Sequence, residues 1–225
     1  MNIDPTAKTV LCYGDSNTWG QTPDRTGKRR PANIRWTGVL QQKAGKGYYI
    51  IEEGLSSRTT DLDYAKKPGR NGRTFLEPCL DSHAPLDVVV LMLGTNDLKI
   101  EFDRSVPEIA EAVRGLVTLT QEKTAKYTGK PAKIVLVSPI LVDGDAPMLA
   151  QWYAAYYDDN SVKRSQTLAS ALCAVADATG CSFVDAAQVA KAGQDGIHFD
   201  EASHQALGEL LAQHITNLTD AQSIV

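Results

Sequence analysis

Cysteine is scarce in this sequence and never falls in a CxxC spacing: Cys12, Cys79, Cys173 and Cys181 are the only four in 225 residues. That excludes a disulfide framework and a cysteine-built zinc site, and it leaves four small apolar side chains suited to burial in a reducing compartment. HExxH, clustered Cys/His and repeated acidic ligand patterns are missing as well, so no metal or other cofactor is expected. No apolar run approaches the ~20 residues of a membrane helix, so a membrane is not an expected partner. Positive charge is not in excess either. Lys and Arg total 23 against 27 Asp and Glu, a net charge of −4, which argues against a nucleic-acid partner. The basic run Lys28-Arg29-Arg30 sits among Gly, Pro and Asn and reads as a solvated loop. Met1 to Lys8 is polar, with neither the apolar core nor the cleavage site of a signal peptide, and the expected location is cytoplasmic.

What remains is a chain that is 43% hydrophobic and 22% charged, which suits one globular domain over residues 1–225. Short apolar runs predict strands at Thr9–Tyr13, Tyr48–Ile51, Leu86–Leu93, Ile134–Val137 and Ser182–Val184. The third is continuously apolar from Val88 to Leu93, as a strand covered on both faces should be. Between them lie helical stripes. Trp36, Val39 and Leu40 form one, closed by Gly45 or Gly47. Asn71–Ser82 forms another, with Phe75, Leu76 and Leu80 on one side and Pro78 inside. Ser105 and Glu108 make a capping box before Ile109, Val113, Leu116 and Val117. Leu168, Ala171, Leu172 and Val175 precede a left-handed stop at Gly180. The last stripe is Leu207, Leu210, Leu211, Ile215 and Leu218. Asp143–Tyr157 reads as irregular and aromatic-rich. Strands alternating with helices imply an α/β, three-layer sandwich with a five-stranded parallel sheet. The flavodoxin-like order 2-1-3-4-5 puts a switch point between strands one and three, where ligands bind outside the strand ends.

Two loops meet at that point. Strand one runs into Gly14-Asp15-Ser16-Asn17, and strand three into Gly94-Thr95-Asn96-Asp97. Both strings are rich in turn formers and read equally well as turns. Chemistry supplies a second reading. Acyl transfer needs a nucleophile, a base, an orienter for the base and donors for an oxyanion. Ser16 can be the nucleophile. Asp195-Gly196-Ile197-His198 supplies an orienter and a base from one loop, since a carboxylate three residues away can curl back to the imidazole N–H. His83, His204 and His214 have no such neighbour and read as ordinary histidines, the last two at partly exposed positions of the final helix. The Ser16 N–H, the amide of Asn96 and an N–H from the loop after strand two are the candidate donors.

These three blocks, in this order and spacing, resemble the GDSL or SGNH hydrolases over nearly the whole chain. The longer strings Cys12 to Gly20, Arg35-Trp36, Glu53-Gly54-Leu55-Ser56 and Arg58-Thr59-Thr60 are similar to the bacterial arylesterase and acyltransferase branch of that family. The resemblance implies the SGNH hydrolase fold, with Ser16 as nucleophile, His198 as base and Asp195 as orienter. It implies an oxyanion hole of Ser16, Ser57 and Asn96. The wider family has Gly where this chain has Ser57, and Gly54 is the alternative donor. It further implies small-molecule ester and alcohol substrates, acyl transfer beside hydrolysis, and a homo-oligomer such as an octamer. The aromatic segment Asp143–Tyr157 would form an entrance surface in such an assembly, or else a satellite cluster over the core. A carbohydrate acetyl esterase shares the same blocks. A non-catalytic module cradling an anion on the Gly14–Thr18 turn would have no use for the Asp195–His198 pair.

Overall fold

A computed structural model describes residues 2–220 of the chain, so the ends of the expected 1–225 domain lie outside the described residues. Five parallel strands, β1 (Lys8–Gly14), β2 (Tyr48–Gly54), β3 (Val88–Met92), β4 (Lys133–Ser138) and β5 (Ser182–Asp185), form one sheet in the order β2-β1-β3-β4-β5. Seven helices connect them among the described residues: α1 (Ser16–Trp19), α2 (Trp36–Ala44), α3 (Gly72–His83), α4 (Val106–Thr128), α5 (Leu149–Tyr153), α6 (Asp159–Thr179) and α7 (Glu201–Asp220). The flavodoxin-like, three-layer α/β architecture is therefore the one expected.

The strand pleat divides the core in two. Leu11, Tyr13, Val89, Leu91, Ile134 and Leu136 face α3, α4 and α6, whereas Val10, Cys12, Val88, Val90, Val135 and Val137 face α2 and α7. Both faces are covered, which is why these strands carry unbroken apolar runs. The Ser105–Glu108 capping box opens α4, and Gly180 closes α6 in the left-handed conformation at φ 69°.

Several local expectations need correction. Phe75 is not buried with Leu76 and Leu80; it is 41% exposed at the rim of the core, stacked on Tyr13 at 6.4 Å between ring centroids, with the Arg58 guanidinium 5.2 Å from its own. Asp143–Tyr157 is not wholly irregular, because α5 lies within it. Cys12 and Cys79 are buried, but Cys173 and Cys181 are only partly so. His204 is fully buried rather than partly exposed, and its Nδ1 accepts from the Trp36 N–H at 3.2 Å. That contact supplies an acceptor for one of the donors left over at the start of α2, where Arg35 offers no side-chain cap. His83 does have a carboxylate partner, Glu53, at 2.9 Å.

Candidate active site

Ser16, Asn96 and His198 come from three loops at the carboxyl edge of the sheet, and all line one cavity of about 850 Å3. β1 ends at Gly14. A Cβ there would stand 2.1 Å from Thr18 Oγ1, so glycine allows the chain to turn at once into α1. Asp15 caps that short helix by accepting from the Asn17 N–H at 2.9 Å, and Ser16 opens it. The Asp195–His198 loop is a tight fold with Gly196 at φ 77°. Asp195 Oδ1 accepts from the N–H groups of Ile197 at 3.0 Å and His198 at 2.9 Å.

A continuous hydrogen-bond relay results. His198 Nδ1 lies 2.6 Å from Asp195 Oδ2, and His198 Nε2 lies 3.0 Å from Ser16 Oγ. Burial would raise the Asp195 carboxyl, but the hydrogen bond and charge of His198, with the two backbone donors, hold it below its ordinary value. An ionised carboxylate only accepts, so Nδ1 carries the imidazole proton. In the neutral imidazole Nε2 is then a lone pair, to which the Ser16 hydroxyl can donate.

Around Ser16 stand groups that can serve an oxyanion. Asn96 Nδ2 donates to the Arg58 carbonyl at 3.0 Å, and its contact with Asp15 Oδ2 is long, at 3.4 Å. Ser57 occupies the third position of a turn closed by Arg58 N–H donating to the Leu55 carbonyl at 3.0 Å, and its φ is 67°. That is the geometry of a type II turn, in which glycine usually fills this position. The turn's own bond does not use the Ser56–Ser57 peptide, and both residues line the cavity. Gly54, the alternative donor, does not line it; it ends β2 paired with Gly14, and a Cβ there would meet Trp19 N at 2.1 Å.

Arg58 fixes this arrangement from below. It is 1% exposed, donates to the carbonyls of Gly14 (2.8 Å) and Glu53, and lies 4.0 Å from the Tyr13 ring centroid. It thereby ties the ends of β1 and β2 to the turn that carries Ser57. Asp97 is also buried, and burial raises it to about 6 against the opposing hydrogen bonds of Thr60 and the charge of Arg104. Its role is internal: it accepts from the Thr60 N–H at 3.1 Å and from Arg104 at 3.1 Å.

Some participants were not apparent from sequence. Asn17 bonds to the backbone on both sides of His198. Tyr64, Lys67 and Lys99 line the cavity. So do Tyr153, Tyr156 and Tyr157 of the aromatic segment, although Trp152 does not. The Tyr153 ring stands 6.2 Å from the His198 ring, centroid to centroid. One convergence of metal-capable side chains, Glu53, Cys79 and His83, occurs among the described residues; its donor atoms lie within 4.8 Å of one another, outside the cavity lining.

A parallel sheet in this order, with these three loops meeting at its switch point, is the architecture of the SGNH hydrolases. Residues 12–206 match the GDSL-like lipase/acylhydrolase family, and the chain belongs to it. The native M. smegmatis aryl esterase structure is 40% identical, with a TM-score of 0.87 over 94% of this chain and 100% of that one. Est24, a carbohydrate acetylesterase from Sinorhizobium meliloti, is 38% identical, with a TM-score of 0.86 over 94% of this chain and 99% of that one. An acetylxylan esterase of Xylanibacter ruminicola is 30% identical over 147 residues, which is 58% of this chain but only 28% of that protein. The chain thus spans less than a third of the length of that curated relative. Among the described residues no helix is long and apolar enough to cross a membrane.

Proposed function

We propose that the protein is a serine esterase acting on small acyl esters through an acyl-enzyme. The observation that carries this reading is the Asp195–His198–Ser16 relay opening onto the cavity. In it, the Ser16 oxygen attacks the ester carbonyl while its proton passes to His198 Nε2. Asp195 keeps the imidazole in the required tautomer and stabilises the imidazolium. The N–H groups of Ser16 and Ser57 and the amide of Asn96 bind the negative charge that develops on the carbonyl oxygen. His198 then returns its proton to the departing alkoxide, leaving an acyl ester on Ser16. A water or an alcohol, deprotonated by His198, attacks that ester and frees the enzyme. No step calls on a metal or other cofactor.

The aromatic lining supports transfer to alcohols as well as hydrolysis, because Tyr153, Tyr156 and Tyr157 offer an apolar body with polar tips to an incoming alcohol. A homo-oligomer that narrows the entrance belongs to the same reading. The carbohydrate acetylesterase neighbour favours acetyl groups on sugars as a second substrate class. Fluorophosphonate labelling of the wild type and of Ser16→Ala tests the nucleophile; labelling that persists in the variant would overturn it. A chain-length series of p-nitrophenyl esters sets the acyl limit. The ratio of benzyl acetate to acetic acid formed from vinyl acetate and benzyl alcohol in buffer tests transfer, and acetic acid alone at every alcohol concentration would refute it. Size-exclusion chromatography with light scattering tests the assembly.

A further inference from the structure

We propose that the substrate of this site carries a carboxylate, and that Lys99, helped by Lys67, recognises it. The inference rests on the esterase reading and names the substrate class for the same cavity.

The charge of the cavity opposes that of the chain. The chain carries −4 overall, yet the lining holds Lys66, Lys67 and Lys99 against the single carboxylate Glu101. Lys99 is the unusual member. It follows the turn that carries Asn96, and it is only 9% exposed. Lysine is almost never buried this deeply unless it is paired. Here, among the described residues, its Nζ donates to Tyr64 Oη at 2.9 Å and has no carboxylate within 4.0 Å. The Tyr64 and Tyr156 ring centroids lie 5.0 and 5.5 Å from it. Aromatic faces stabilise a cation without neutralising it. An ammonium has three donors, and the tyrosine hydroxyl takes one.

Of the acids near Lys99, the exposed Glu101 acts on it by charge without reaching its Nζ, and the two buried ones are otherwise engaged. Asp97 is held by Thr60 and Arg104, and Asp15 by the Asn17 N–H. Burial, aided by Lys67, lowers Lys99 to about 8 against the opposing charges of Glu101, Asp15 and Asp97. Lys67 adds a second cation from the facing loop, with its Nζ donating to Ser57 Oγ at 2.6 Å. That bond joins the cationic wall to the turn beside Ser16. A neutral acyl chain entering here would bury the ammonium still further without a partner. A carboxylate on the ester would supply the missing counter-charge and accept the unused donors.

The test is a ratio of kcat/KM for paired esters, measured within each protein so that folding and expression cancel. On the acyl side, mono-p-nitrophenyl glutarate is compared with its methyl-capped diester. On the alcohol side, para-acetoxybenzoate is compared with its methyl ester. The expected wild-type result is a preference of about tenfold or more for the carboxylate in at least one arm, from a charge-assisted hydrogen bond. That arm identifies which side of the ester carries the charge. Lys99→Met should bring the ratio close to one, Lys67→Met should lower it in part, and high salt should narrow it. Should Lys99→Met fail to fold, competitive inhibition of the wild type by free glutarate or para-hydroxybenzoate, against the corresponding methyl esters, gives the same comparison. A wild-type ratio at or below one in both arms overturns the proposal, and so does a preference that survives Lys99→Met. Fluorophosphonate labelling of Ser16 separates the two readings: labelled enzyme without the preference fails here and remains a serine esterase.

Discussion

Asn17 holds the backbone on both sides of His198. Its Nδ2 donates to the Ile197 carbonyl at 3.1 Å, and its Oδ1 accepts from the Phe199 N–H at 2.9 Å. The residue after the serine therefore fixes the loop that carries the histidine, 182 positions away along the chain for the Phe199 contact. The Ser16–His198 distance is set by this clamp rather than by their own hydrogen bond alone.

Asn17→Ala is therefore expected to lower kcat for p-nitrophenyl acetate by up to about 10²-fold, the scale of a misplaced reacting group. KM should change much less, because Asn17 does not line the cavity. Asn17→Asp keeps the acceptor, loses the donor and places a carboxylate near His198. It should shift the acid limb of the kcat/KM pH profile upward, because the new charge favours the imidazolium. A variant that is merely less stable would leave that limb where it is.

The limits of the sequence are visible in particular residues. The sheet order was legible because strands buried on both faces must be continuously apolar, as Val88 to Met92 are. Ser16 and Asn96 were legible because each lies just past the end of such a run, and Asp195 and His198 because their spacing puts a carboxylate within reach of an imidazole. His204 was also within reach. It falls in register with Leu207, Leu211 and Ile215 on the buried face of α7, but histidine was read as polar. Its burial depends on the Trp36 N–H, a donor 168 residues away that no local pattern reveals. The cavity lysines were beyond reach, because Tyr64 to Lys67 lies in a loop without periodicity. Phe75 sits at the rim: it stacks on the buried Tyr13 and the Arg58 guanidinium while 41% of it stays exposed.

Asn96→Ala is expected to reduce kcat by roughly 10²–10³-fold with little change in KM, as for other single oxyanion donors. The long 3.4 Å contact with Asp15 leaves one Nδ2 hydrogen only weakly held in the free enzyme. That hydrogen can turn to the charge that develops during attack. Equal losses in kcat and in affinity for an unreactive substrate analogue would instead assign Asn96 to ground-state binding.

Ser57→Gly and Ser57→Ala should both keep kcat within a few-fold of wild type. The proposed mechanism uses only the N–H at this position, and both substitutions retain it. Glycine also suits the φ of 67° better than serine does. Both variants remove the Oγ that accepts from Lys67 Nζ. A large loss of kcat common to both would show that the hydroxyl, and not only the backbone, takes part in turnover.

The last prediction concerns acid stability and follows from His204. Burial, with the nearby charges of Arg30 and Arg35, lowers this imidazole from 6.5 to about 3. Its Nδ1 already accepts from the Trp36 N–H, so protonation would break that bond and charge a site with no exposure. The unfolded chain, by contrast, protonates His204 near its ordinary value. Between about pH 6.5 and 3 the unfolded state therefore binds more protons, and unfolding becomes easier as pH falls. The contribution is fully present above about 6.5 and is lost through this window. From pH 7 to pH 5 it amounts to about 2 kcal/mol. His204→Gln can still accept from Trp36 but does not titrate. Urea unfolding at the two pH values should therefore show wild type losing about 2 kcal/mol more than the variant. The Asp97 carboxyl acts in the opposite direction, since its raised value favours the folded state as pH falls from about 6 to 4. It is present in both proteins and drops out of the difference. Equal losses in the two proteins would mean that His204 titrates in the folded state close to its ordinary value, and that its burial does not govern the acid limb.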